Sequence, residues 1–383
     1  MNSTDSLLYI TALKATADIG PDRVAKWGFP AGHNGPYHHP ETAVRTTGHW
    51  AVTSAHLWEQ TGERRWRELC EAAGSYLTSR DARPEGFTFH HRSVEGKDSC
   101  NGVIGSAWTI EALTALGRIT EDERYIALAE DLFLVHPFDW EKGLWRIVDI
   151  DGHDLGFDNT FNHQLWLATA GACLPGDCSR YPEIRQRVQR FLDLTDATLF
   201  VYSDGLIYHF VNLPLPPAGR KVTPYHRMKS VLKRVLTGGA APPIHPTFQQ
   251  RIKWVGYHHF SLYALGRLKM VFPNHPLWNS DALIRAVALL QSRHYKETME
   301  DPHNVYGFGY NAPFFEIPWA LSSLGNLSAE DLKRETWYWR ERQLEHTYDS
   351  TTGVFSRGTA DPVVLTARIY ELAQVLNAMP GLD

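Results

Sequence analysis

Asp158, Asn162, His163 and Trp166 stand together in the stretch DNTFNHQLW. A carboxylate, an amide, an imidazole and an indole so closely grouped can hold a sugar and move a proton on it. Asp98 and Asn101 form a second polar pair, in KDSCNG. Two carboxylates in one site divide into general acid and general base when burial raises the pKa of one of them. Asp158 and Asp98 are therefore the candidate catalytic residues. Further candidates to bind substrate are His49 and Trp50, Tyr257 and His258, Glu316, and Arg368. Arg45, Lys253 and Arg368 can supply the cation that an acidic sugar needs, arginine by a bidentate contact. Tyr306, Tyr310 and Asn311 precede Glu316 and suit sugar stacking or hydroxyl recognition. Each feature has a plainer reading too: Asp158 is a good helix N-cap, and a lone buried cation is often paired in a core.

These residues share a position in the sequence pattern. Six times the chain enters an Ala/Leu-rich helical stripe through polar or aromatic residues, beginning near His49, Asn101, Asn162, Trp254, Phe314 and Leu365. A more charged helix follows each of the first five. A repeat of roughly 50–60 residues, each a helix pair, marks an array that buries its core by stacking neighbours. Six pairs can close on themselves, so the pattern predicts an all-α fold, an (α/α)6 barrel, as a single domain over 1–383. In a closed ring the six inner-helix starts converge on one funnel, which selects the residues above. The stretch 6–19 reads as an amphipathic helix that closes the ring against the last repeat. LWRIVDIDG reads as a β-hairpin with an Asp-Gly turn, and Phe87–His90 as an extended piece at the rim. An insertion near 200–252 interrupts the rhythm with Pro-rich pieces and a basic stretch from Lys221 to Arg234, read as a solvated helix face.

Composition narrows the classes. The 383 residues are 43% hydrophobic and 21% charged, as in an ordinary globular protein. The net charge of −5 and the lack of a dominant basic block exclude a general nucleic-acid partner. Nineteen His and thirteen Trp suit an aromatic cleft or a thick core. Cys70, Cys100, Cys173 and Cys178 form no CxxC pair, so free thiols are expected and no metal site. No GxGxxG, P-loop, GxSxG or HExxH occurs, and no cofactor is expected. His258 and His259 point about 100° apart on a helix and cannot act on one face together. The N-terminus lacks the features of a secretory signal, and no run of about 18 apolar residues suggests a membrane span. A cytoplasmic protein is the expectation. Its oligomeric state is not legible.

The string Asp158-Asn-Thr-Phe-Asn162-His-Gln-Leu-Trp166 resembles the DNxxNxxLL pattern of the unsaturated glucuronyl hydrolases, glycoside hydrolase family 88. It is similar to that of the unsaturated rhamnogalacturonyl hydrolases of family 105. The resemblance implies an (α/α)6 barrel. It also implies that Asp158 acts as general acid and base in hydrating a Δ4,5-unsaturated uronic sugar, protonating C4 and activating water toward C5. The family's second Asp lies one repeat upstream, which leads to Asp98. Its surroundings, KDSC, differ from the family's HDxGF, and a similar HDLGF stands instead directly before Asp158. The expected function is thus hydrolysis of an unsaturated uronyl saccharide, a small molecule or oligosaccharide. The same barrel admits sugar or uronyl epimerases and polysaccharide lyases, with His163, His258 or Tyr370 as base. Other classes are a terpenoid-type cyclase, for which DxDD and DDxxD are missing, and a non-catalytic sugar-binding protein.

Overall fold

The computed structural model describes residues 3–212 and 246–376. Its helices run in order α1 (Ser3–Ala15), α2 (Pro21–Trp27), α3 (Val44–Thr61), α4 (Arg64–Leu77), α5 (Gly102–Thr120), α6 (Glu123–Leu134), α7 (Phe161–Ala172), α8 (Tyr181–Asp193) and α9 (Thr195–Thr198). After the insertion come α10 (Phe248–Val271), α11 (Asp281–Leu289), α12 (Arg293–Met299), α13 (Pro313–Leu324), α14 (Ala329–Thr347), α15 (Pro362–Ala367) and α16 (Tyr370–Leu376).

Two kinds of helix alternate, for a physical reason visible in their burial. α8 buries only Ile184, Val188, Phe191 and Leu192, one stripe at helical spacing. α5 is buried on every side from Gly102 to Leu113, because one face meets the barrel interior and the other an outer helix. The inner helices are α3, α5, α7, α10, α13 and α16. Each packs on the next, and α16 returns to α3. That closure is marked by the His49 ring lying flat on Tyr370, centroids 4.1 Å apart. The helix expected over 6–19 is α1, and it packs on α16 as predicted. The described residues thus form the (α/α)6 barrel expected from the repeat.

Local chemistry sets the ends of the inner helices. α3 stops at Gly62, whose φ of 65° is easy only without a Cβ. A capping box of Thr247 and Gln250 starts α10. α5 begins through Asn101 and Gly102, both left-handed, and its first amides are taken by carboxylates rather than by an N-cap side chain.

The expected hairpin is present. β1 (Phe138–Asp139), β2 (Leu144–Val148) and β3 (Asp154–Phe157) form an antiparallel sheet, and β2 and β3 turn through Asp151-Gly152. A second small hairpin joins β4 (Tyr348–Asp349) to β5 (Val354–Phe355). Phe87–His90 is not a strand. The Phe87 carbonyl accepts from the Arg83 guanidinium at 3.0 and 2.9 Å instead of pairing with an extended neighbour. The interruption also ends earlier than 252, since α10 starts at Phe248. The basic stretch Lys221 to Arg234 lies outside the described residues.

Candidate active site

A cavity of about 170 Å³ opens where the starts of the inner helices and their preceding loops meet. Arg45, Arg92, Lys97, Lys253 and Arg368 line it, with His39, His163, His209, Tyr37, Tyr257, Tyr310 and Trp108. No aspartate or glutamate is among the described lining residues. The cavity is therefore electropositive and aromatic.

Asp158 is 4% exposed and stands just behind this lining. Its Oδ1 accepts the Thr160 amide at 3.0 Å, and Oδ2 accepts the Val103 amide at 3.1 Å. Oδ2 also takes the His163 Nδ1 at 2.8 Å. Burial raises the pKa of this carboxyl, but His163 and the two amides outweigh it and hold the value below the ordinary aspartate range. Asp158 is thus an ionised acceptor. The consequence falls on His163: with Nδ1 bound, its Nε2 is the nitrogen left for the cavity that the ring lines.

Asp98 makes a similar structural contribution nearby. It pairs with Arg92 at 2.6 Å, and its other oxygen accepts the Gly102 amide at 2.6 Å. Asp98 and Asp158 therefore meet at one place, the first turn of α5, on consecutive amides. Asn101 lines the cavity and accepts from Arg92 at 2.7 Å.

The remaining residues selected from the sequence divide into two groups. Tyr257 and Arg368 line the cavity, as do Arg45, Lys253, Tyr310 and Asn311. The Tyr257 hydroxyl meets that of Tyr37 at 2.9 Å and donates to Tyr310 at 3.4 Å. Arg368 is fully buried and ion-paired with Glu316 and Glu371, and it donates to the Tyr310 carbonyl and the Asn311 side chain. Glu316 thus stands behind Arg368, which it shares with Glu371. Burial first, and Glu371 second, push its carboxyl well above the usual range.

The second group lies in the core. His49 closes the ring on Tyr370 and accepts from Arg45 at 3.3 Å. Trp50 stacks on Phe29, and Trp166 on Phe260 and Tyr263. Asn162 is also buried, with neither amide atom hydrogen-bonded among the described residues. His258 bonds the Ala286 carbonyl at 2.9 Å and accepts the Ile207 amide, facing away from the cavity.

The cavity residues that escaped the sequence reading include Tyr37, Arg92, Lys97 and His209. These four lie in loops without periodicity. The aromatic and His-rich run PYHH before α3 is a usable signal for the first. His209 comes from the insertion, and a bridge between Thr160 and Phe210 fixes that segment beside the start of α7. Burial, then Lys253 and His163, hold His209 well below the usual histidine pKa, so its ring is neutral. Its Nδ1 has no partner among the described residues.

The fold recurs in solved structures. An unsaturated glucuronyl hydrolase from Bacillus sp. GL1 superposes with a TM-score of 0.61 at 13% identity, over 98% of this chain and 97% of that one. A sugar epimerase from a ruminal bacterium gives 0.59 at 14%, over 98% and 99%. A D-mannose isomerase gives 0.60 at 13%, over 97% of both. At these identities the likeness is one of fold. No family model matches the chain. The sequence is 40% identical to archaeal glycosylation protein Q of Haloferax volcanii over 372 residues, 97% of each chain. With that identity along nearly its whole length, the chain belongs to the family of archaeal glycosylation protein Q.

Proposed function

We propose that the protein is an enzyme that epimerises or isomerises an acidic sugar by proton transfer at a carbon beside a carbonyl or carboxylate. The observation that carries this reading is the Asp158–His163 pair: an ionised, buried carboxylate holds Nδ1, and Nε2 is left toward a cavity lined by cations. A carboxylate that fixes the tautomer of an imidazole, and balances its charge once protonated, is a general solution for a base. His163 takes the proton from carbon, and the electron pair passes into the neighbouring C=O as an enediolate. The cations of the cavity stabilise that developing negative charge. His209, kept neutral, offers a hydrogen bond to the polarised oxygen, as a neutral imidazole can. His163 then returns the proton, to the neighbouring carbon in an isomerisation, or to the opposite face of the same carbon once the enediolate has turned in an epimerisation.

The alternative expected from the sequence, hydration of an unsaturated uronyl group by Asp158 and Asp98, needs a protonated carboxyl facing the sugar. Asp158 has both oxygens engaged and a lowered pKa, and Asp98 is paired with Arg92. This favours the imidazole as the proton carrier. The kinship with a glycosylation protein supports a role in making or modifying glycans, and a fold shared with epimerases, an isomerase and glucuronyl hydrolases alike supports a sugar substrate.

The test is incubation in D2O with hexuronates and hexoses, reading deuterium at the carbon beside the carbonyl or carboxylate by NMR. The expected result is incorporation that falls by roughly 10²–10⁴-fold in His163→Gln. Loss of absorbance from a Δ4,5-unsaturated uronyl disaccharide, without exchange into any saturated sugar, would instead establish the hydrolase.

A further inference from the structure

The cations around the cavity are not equivalent. Arg45 is neutralised by Glu41 at 3.0 Å, Arg92 by Asp98, and Arg368 by Glu316 and Glu371. Lys97 and Lys253 have no carboxylate partner among the described residues. The Lys97 ammonium donates to His39 Nε2 at 3.2 Å. That of Lys253 lies over the rings of Tyr37 and Tyr257, 5.4 and 5.9 Å from their centroids. Such cation–π contacts offset a lysine's charge only weakly. The two lysines come from different elements, one from the loop before α5 and one from the first turns of α10, yet they line one cavity. Lys97 is exposed at the mouth of the cavity with Asp98 beside it in the chain, whereas Lys253 is half-buried and feels the charge of Lys97, a repulsion that a ligand of opposite charge relieves.

We propose that Lys97 and Lys253 form a phosphoryl subsite, so that the sugar handled by His163 carries a phosphate monoester. The proposal rests on the proton-transfer reading for the role of His163, and it names the substrate class. A monoester fits better than a carboxylate because it brings about −1.5 to −2 charges near pH 7 against two unpaired ammonium groups. It also brings three acceptor oxygens, enough to engage both lysines together. Burial, and then the charge of Lys97, lower Lys253 to about 8. A bound dianion reverses the second effect, so binding near pH 8 takes up a proton.

The experiment is titration calorimetry of the whole protein at pH 8 with a hexose, the matching hexose 6-phosphate, whose anomeric carbon can still open to a carbonyl, the hexuronate, a nucleoside diphosphate hexose and inorganic phosphate. The hexose 6-phosphate is expected to bind at least ~10-fold tighter than the hexose or hexuronate, a difference of about 1.4 kcal/mol. Its heat should vary with the ionisation enthalpy of the buffer, reporting proton uptake. Both effects should disappear in K97M/K253M, whose fold is checked by circular dichroism. Equal affinity for hexose and hexose 6-phosphate in the wild type overturns the proposal. Tighter binding of the nucleoside diphosphate hexose than of the monoester overturns the monoester assignment. Deuterium exchange by the wild type, read beside these affinities, separates the two readings. A phosphate preference that persists without exchange in any sugar keeps the subsite and removes the proton transfer, and exchange without a phosphate preference does the opposite.

Discussion

Asp158 accepts two backbone amides and one imidazole, so a single change there acts on chemistry and on folding at once. In Asp158→Asn an amide N–H can face His163 Nδ1, which then becomes the acceptor and leaves the proton on Nε2. The base is lost, and proton exchange should fall nearly as far as in His163→Gln. The stability effect depends on pH with a definite sign. The folded carboxyl has a lowered pKa, so its contribution is present above the unfolded value of about 3.9 and is lost as pH falls through the folded value. Urea unfolding should therefore find Asp158→Asn less stable than wild type at pH 6, with the gap narrowing as both are taken below pH 3. A gap unchanged with pH would contradict the assignment. Arg368→Met leaves Glu316 and Glu371 buried together, and it should cost about 3–5 kcal/mol in the same measurement. The sequence pointed to Asp158, and to Arg45, Lys253 and Arg368, because each stands at or near a helix start. It did not reveal that His163 is the group left facing the cavity, since position in a repeat does not say which neighbour a side chain will bond.

The first turn of α5 is the element on which the candidate site depends. Asn101 and Gly102 are both left-handed there, and that turn presents the Gly102 and Val103 amides to Asp98 and Asp158. A Cβ on Gly102 would stand 2.3 Å from Asp158 Oδ2 and 2.8 Å from His163 Nδ1. Gly102→Ala should thus displace the pair and cost at least about 1–2 kcal/mol from the left-handed backbone alone. The expected outcome is a larger loss of proton exchange than of thermal stability. Gly48→Ala is the control, because its Cβ would meet Ala112 Cβ at 3.4 Å and the backbone of α3 is ordinary helix; it should retain most of its exchange. Full exchange in Gly102→Ala would show that this turn does not set the geometry. Helix type and order were readable from composition and period, whereas starts were readable only where a local device exists. The sixth inner element, broken between α15 and α16 at Arg368, gave no such signal, because its turn serves an ion pair made with residues distant in the chain.

At the scale of the molecule, several of the many histidines noted in the sequence join the ring together instead of serving one site. His91 bonds Thr109, His136 bonds Ser106 and the Arg146 carbonyl, and His259 bonds Tyr295 and the Asn311 carbonyl. This use could not be read from the sequence, which identifies a histidine but not its burial; the ring itself could, because its repeat runs along almost the whole chain. Burial lowers the pKa of His56, His136 and His258 to about 4, and of His91 and His259 to about 3. His49 and His209 are lowered well below the ordinary value. Between pH 6.5 and 5 the unfolded chain therefore binds protons at these seven positions that the folded chain refuses. Each contributes a stability loss of up to about 1.4 kcal/mol per pH unit as the pH falls. Glu41, Glu316 and Glu371 act in the opposite sense, since burial raises their pKa and the folded state retains protons there. Seven against three leaves the histidines dominant. The urea midpoint should decline steadily from pH 6.5 to pH 5, with proton uptake on unfolding in that range, and a flat or rising midpoint would mean that the buried imidazoles are not held neutral by the ring.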